Sequence, residues 1–99
     1  MIHIQISQEA LDDLNEDFLF YESQETDLGA YFSSCLQGDI EGLKISAGTD
    51  RIVYRDYHRL LSQLFLFGIF YTLEGAQATV WAVVDLCRNP SWIRDHLQL

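Results

Sequence analysis

Apolar residues recur at two different periods along this chain, and the change of period divides it. Ile2, Ile4 and Ile6 alternate with His3 and Gln5, the period-two pattern of a short strand with one buried face. From Gln8 to about Gln24 the apolar positions are Ala10, Leu11, Leu14, Phe18 and Tyr21, stepped as on one stripe of a helix. Ser7 can cap that helix, and Glu9 suits its positive end. Asp12, Asp13, Glu16 and Asp17 fall largely off the stripe and predict a solvated face. Thr26 or Asp27 can cap a second helix, in which Leu28, Tyr31, Phe32, Cys35, Leu36, Ile40 and Leu43 form a stripe to about Lys44. Gly29, Gly38 and Gly42 weaken this helix in isolation, so packing must hold it. The short link between the two predicts an antiparallel helix hairpin.

After a loop at Ala47-Gly48-Thr49-Asp50 the pattern becomes β-like. Arg51 to Leu61 is rich in Tyr, Val and Ile, with Arg51, Val53, Arg55, Tyr57 and Arg59 on one parity. Leu64 to Tyr71 is apolar at both parities. Glu74-Gly75-Ala76-Gln77 reads as a hairpin turn, and Ala78 to Leu86 as another strand. Asn89-Pro90 ends it, and Ser91 can cap a short terminal helix holding Trp92, Ile93 and Leu97. The expected order is β-α-α-β-β-β with a short C-terminal helix. This is an α+β fold, with a helix hairpin packed on one face of a mainly antiparallel sheet. In such a domain a central strand has one wet face, yet Phe65, Phe67, Ile69 and Tyr71 compete with Leu64, Leu66 and Phe70 for cover. One set packs on the hairpin. The other calls for the C-terminal helix, a second copy of the chain in a homodimer, or another protein.

Composition narrows the class. Ninety-nine residues, 48% of them apolar, predict a single globular domain over 1–99. The net charge of −9 argues against non-specific nucleic-acid binding and against docking on anionic membranes. The charge is uneven: residues 1–50 hold eleven acids and only Lys44, whereas residues 51–99 hold five arginines and four acids. The longest apolar stretch, Leu60 to Leu73, is interrupted by Ser62 and Gln63 and is too short to span a bilayer. The opening residues carry no export-signal pattern. A cytoplasmic protein with Cys35 and Cys87 reduced is therefore expected, Cys35 as a core residue.

Familiar chemistry is sparse. The six glycines form no phosphate-binding loop, the three histidines no metal-binding pair, and the acids no calcium loop, so no cofactor or metal is expected. Ser33 and Ser34 lack a nucleophile elbow, and Cys87 with His58 or His96 is a pairing any small chain offers. The arginines remain. Arg51, Arg55 and Arg59 share a parity on a regular strand, and Arg88 follows the last strand. Guanidinium groups in such a row bind phosphates or carboxylates bidentately, or else pair with the chain's own acids.

Taken in order, these segments resemble the RelE/ParE toxin superfamily of bacterial toxin–antitoxin systems, most closely its ParE-like, plasmid-stabilisation branch. SQEALDDLNEDFLFYESQ resembles the family's first helix through Ala10, Asp13, Leu14 and Tyr21. LGAYFSSCLQGDIEGL resembles its second through Gly29, Phe32 and Ile40. FLFGIFYTLEG followed by VWAVVDLCRNPSW resembles its closing strands, through Phe65, Ile69, Tyr71, Ala82, Val83, Arg88, Pro90 and Trp92. Leu66 stands where the family usually has proline, Asp85 where histidine is common, and Gln63 and Leu64 where bases are frequent. The resemblance implies a toxin that acts by binding a protein, DNA gyrase, and is neutralised by a small antitoxin. Its partner-binding residues would be Arg51, Arg55, Arg59, Arg88, Trp92 and Phe67. A second implication is a ribosome-dependent mRNA endonuclease using Arg55, Arg59 and Arg88 as catalytic charge stabilisers. Asp85 argues against it, because a carboxylate beside a scissile phosphate opposes the developing charge. A third is a diverged, non-toxic binding module of the same fold.

Overall fold

The computed structural model describes residues 1–98. The elements run β1 (His3–Ile6), α1 (Gln8–Gln24), α2 (Leu28–Glu41), α3 (Leu43–Ser46), β2 (Ile52–Tyr54), β3 (Tyr57–Leu61), β4 (Phe67–Glu74), β5 (Gln77–Asp85) and α4 (Pro90–His96). They build one five-stranded sheet in the order β1-β5-β4-β3-β2. Only β1 runs parallel to its neighbour, β5; the other pairs are antiparallel. The α+β architecture expected from the pattern is the one observed.

The helix hairpin forms for local reasons. The Ser7 hydroxyl accepts from the Ala10 N–H at 3.1 Å and starts α1. The N-terminus of α2 is capped from outside itself: Glu22, in the last turn of α1, accepts from the Asp27 N–H at 2.9 Å and the Gly29 N–H at 3.0 Å. Asp27 holds the capping position, but its side chain makes no capping bond. The same corner requires Gly29, because a Cβ there would lie 2.5 Å from the Phe18 carbonyl oxygen. Ala10, Phe32, Leu36, Ile40 and Leu43 then bury against Phe67, Ile69, Tyr71, Ala78 and Val80.

Three sequence expectations change. The Arg51–Leu61 segment is not one strand: it folds back on itself, with Tyr54 paired to Tyr57 and Arg55-Asp56 as the loop. Arg55 takes a φ of 47° there, the left-handed backbone that a tight hairpin demands and for which the sequence offers no glycine. The apolar strand starts at Phe67, not Leu64. Leu64 and Leu66 are exposed loop residues, while Phe65 packs on Tyr21, Tyr31 and Phe32. Lastly, Asn89 caps α4, its side chain accepting from the Trp92 N–H at 2.9 Å; Ser91 lies inside the helix.

The doubly apolar strand is covered on both faces by this chain. Phe67, Ile69 and Tyr71 face the helix hairpin, and Phe70 joins Ala82, Val84, Ile93 and Leu97 beneath α4. Strand β5 reaches both clusters through a bulge: Phe70 pairs with Ala82 and Tyr71 with Val80, leaving Trp81 as the extra residue. Ala78 and Val80 thus face the hairpin, whereas Ala82 and Val84 face α4.

Candidate functional site

Strand β1 covers only half of its neighbour. Its last pair is Ile6 with Val80, and the chain then turns away into α1. From Trp81 onward that edge of β5 has no strand partner. Helix α1 overhangs it, and Asp13 Oδ2 accepts the Val83 N–H at 3.0 Å, satisfying a donor that the missing strand would have taken. Helix α4 approaches from the other face of the sheet. His96 Nε2 lies 2.9 Å from Asp13 Oδ1 and joins the two helices. Trp92 stacks on His96 with ring centroids 4.8 Å apart, and the Arg88 guanidinium sits 4.4 Å from the centre of the indole ring.

Between these helices lies a cleft of about 350 Å³. Asp13, Glu16, Asp17 and Asp85 supply carboxylates, Phe20, Tyr21 and Trp92 supply aromatic walls, and Arg88 and His96 supply the basic groups. Asp17 lies one turn beyond Asp13 on α1, and its Oδ2 is shielded from solvent without any hydrogen-bond partner. Burial, followed by the charges of Asp13, Glu16 and Asp85, pushes the Asp17 carboxyl up to about 7, against the opposing pull of Arg88. Burial also raises Asp13, although its bonds to Val83 and His96 act the other way. Burial raises the Tyr21 phenol as well, with Asp85 and Asp17 adding to it.

Of the residues singled out in the sequence, Arg88 and Trp92 stack on each other at this cleft. Arg51 and Arg59 meet elsewhere, across the β2–β3 ladder, where the Arg59 N–H donates to the Arg51 carbonyl at 3.0 Å. Arg55 leaves their row because it occupies the hairpin loop. The four arginines therefore do not form one stripe. Phe67 is a packing residue, only 4% exposed and set edge-on against Phe32. Among the described residues the ion pairs are Lys44 with Glu41 and His96 with Asp13, so none of these arginines is paired with the chain's own acids. The cysteines are free thiols; Cys35 is half-buried and Cys87 exposed.

The cleft residues Asp13, Asp17 and His96 were missed at the level of sequence. The spacing holds a signal: Ala10, Asp13, Asp17 and Tyr21 are stepped three, four and four apart, a helical line running beside the apolar stripe. It marks which two of the four acids turn inward.

No family model matches this sequence, and no curated protein matches it. Among solved structures, a chain of the chromosomal ParDE TA system from P. aeruginosa superposes with a TM-score of 0.79. The match covers 86% of this chain and 96% of that one, at 12% identity. The fold is ParE-like. At this identity it is the path of the backbone that is shared. The acidic cleft is furnished by this chain's own side chains. No helix among the described residues is long and apolar enough to cross a membrane.

Proposed function

We propose that this chain is the toxin component of a bacterial type II toxin–antitoxin system, a cytoplasmic protein that acts by binding another protein and is held inactive by a small antitoxin. The observation that carries the reading is the near-complete backbone likeness to a chain of a ParDE system. The segment-by-segment resemblance to the ParE-like branch points the same way, and by that resemblance the target is DNA gyrase. Arg51, Arg55, Arg59, Arg88 and Trp92 are the partner-contact residues in this reading. Each arginine is free of carboxylate partners among the described residues, and a guanidinium left unpaired in so acidic a chain is available to another molecule. Phe67 is omitted because it is buried.

Induced expression of the chain tests the proposal. Growth arrest is expected, relieved by co-expression of the neighbouring open reading frame, and purified protein should inhibit gyrase supercoiling. Unimpaired growth would overturn the toxin reading in favour of a non-toxic binding module. Transcript cleavage in a ribosome-containing extract would overturn the protein-target reading in favour of an endonuclease.

A further inference from the structure

The sheet has two outer edges and one overhang, and they are not guarded alike. Strand β2 is three residues long, its pairing is irregular between Ile52 and Tyr54, and Arg51 and Arg55 flank it. The overhang of β5 is closed by Asp13. Shortness, irregularity and charge are the usual means of keeping an edge from pairing again. Strand β1 lacks them. It pairs with β5 in unbroken register, and no acid, lysine or arginine stands between Ile2 and Ser7. As the first strand of the sheet it has no strand on its far side among the described residues. The groups on that side follow from the ladder. The His3 N–H donates to the Ala76 carbonyl at 2.7 Å and the Ser7 N–H to the Val80 carbonyl at 2.9 Å. Alternation then turns the N–H and C=O of Ile4 and Ile6 outward. Their side chains, with that of Ile2, form a half-buried row at the margin of the core. Ile45, 90% exposed, stands on α3, which lies against β1.

We propose that this edge joins a second copy of the chain, β1 against β1, in a two-fold dimer whose two sheets become one. A two-fold axis across the edge makes the strands antiparallel, and outward-turned residues must oppose one another. The axis therefore passes through Ile4 or Gln5; further along, α1 begins at Gln8 and the strand is over. In either register the outward groups of the isoleucines bond across the axis, and the two isoleucine rows cover each other. Charge selects the occupant. A chain of net charge −9 repels its own copy, and does so least where the contact face is uncharged. A basic partner gains nothing at this edge and has the acidic hairpin to bind instead. An uncharged strand with an isoleucine row on one face is matched by itself. The contact is small. A strand of four residues falls short of the about 1,200 Å² of a stable interface, so the dimer is weak and forms at micromolar concentrations or above.

Sedimentation velocity from low micromolar to near-millimolar concentration reads the association. The mass should climb from one chain towards two, and further at high salt, because screening weakens the repulsion between two acidic chains and touches nothing at an uncharged contact. Gln5 is exposed on the opposite face of β1 and lies at or beside the axis, so its replacement leaves the core alone. Gln5→Lys and Gln5→Glu should each weaken the dimer about fivefold by setting like charges across the axis, with the melting temperature unchanged. Mixing the two variants should restore association beyond that of either alone. A chain that stays monomeric at every concentration would overturn the proposal. So would a dimer that ignores both Gln5 variants and shows no preference on mixing, or one that salt dissolves, since that one is held by acid–arginine pairs elsewhere. No antitoxin or target enters the experiment, so its outcome is separate from that of the toxin reading.

Discussion

The Tyr71 hydroxyl donates to Asp50 Oδ2 at 2.6 Å and accepts from the Gly48 N–H at 3.0 Å, tying the 47–50 loop to the core. Burial and the Asp50 carboxylate push its phenol up to about 12, so it stays a donor throughout the range in which the protein works. Tyr71→Phe should cost about 1.5–3 kcal/mol in urea unfolding, the usual loss for a hydrogen bond to a charged group. Asp17 has the opposite sign. Its carboxyl binds a proton more tightly folded than unfolded, so its contribution to stability is fully present below its ordinary value near 3.8 and is lost as the pH rises through about 7. Asp17→Asn should raise stability at pH 8 by on the order of 1 kcal/mol and flatten the decline between pH 4 and 7, as thermal unfolding across that range would show. At this scale the sequence was only partly legible. Helical spacing told Ala10 and Leu14 from the solvated Asp12 and Glu16. It did not show that β5 runs on beyond Val80, the partner of Ile6, and this is why Asp13 is drawn inward to the Val83 N–H. A vacancy on a sheet edge is a property of pairing, and no single segment encodes it.

Among the elements, α1 was read to the residue; the second helix, expected to run unbroken to about Lys44, ends at Glu41 with the short α3 after Gly42, α4 starts earlier than its expected Ser91 cap, and the β2–β3 hairpin was not read at all. Hairpin loops are recognised by Gly or Asn at positive φ, and Arg55-Asp56 carries neither. An arginine in that conformation is strained by about 1–2 kcal/mol. Arg55→Gly should therefore leave stability unchanged or raise it by up to ~1 kcal/mol, despite the loss of a side chain. If Arg55 contacts a partner, the same substitution weakens that binding while the melting temperature holds or rises. The run Leu64 to Tyr71 misled for a related reason. Strong β propensity extends over Leu64 and Leu66, but the Phe67 N–H folds back onto the Phe65 carbonyl at 2.7 Å, so the strand starts at Phe67 and not at Leu64. Helix α4 settles the question of cover. Ile93→Ala should cost about 2–4 kcal/mol and expose Phe70, measurable as increased binding of a hydrophobic dye.

For the whole molecule, the division of charge acquires a place. The acidic half supplies the helix hairpin and, with Asp85, the carboxylates of the cleft; the arginine-bearing half supplies four of the sheet's five strands, where Arg51 and Arg59 sit side by side. Because neither forms an ion pair among the described residues, replacing both with Ala should change the stability by less than about 0.5 kcal/mol. If these residues contact a partner, the same replacement reduces affinity, and the salt dependence of binding diminishes with it. Calorimetric titration against the neighbouring gene product at two ionic strengths checks both. The α+β class and the order of elements were visible in the pattern because the chain's two periodicities hardly overlap. The cleft was not visible, because it brings α1 against β5 and α4, with Asp13 bonded to Val83 across 70 residues of sequence.

The bulge at Trp81 also has a bearing on how this chain can change in length. A regular strand sets the facing of its residues by counting, so losing or gaining one residue normally turns everything beyond it inside out. In β5 the extra residue already sits outside the count. Excising Trp81 would join Val80 directly to Ala82 and leave Val83 facing the hairpin and Val84 facing α4, just as they do now. Excising Thr79 would turn Val80 away from the hairpin and Trp81 towards it, and excising Val83 would reverse the residues that follow. Within this strand, Trp81 is thus the interior position whose deletion leaves every other residue facing as it does now, and a shortened β5 that still folds should be missing the tryptophan.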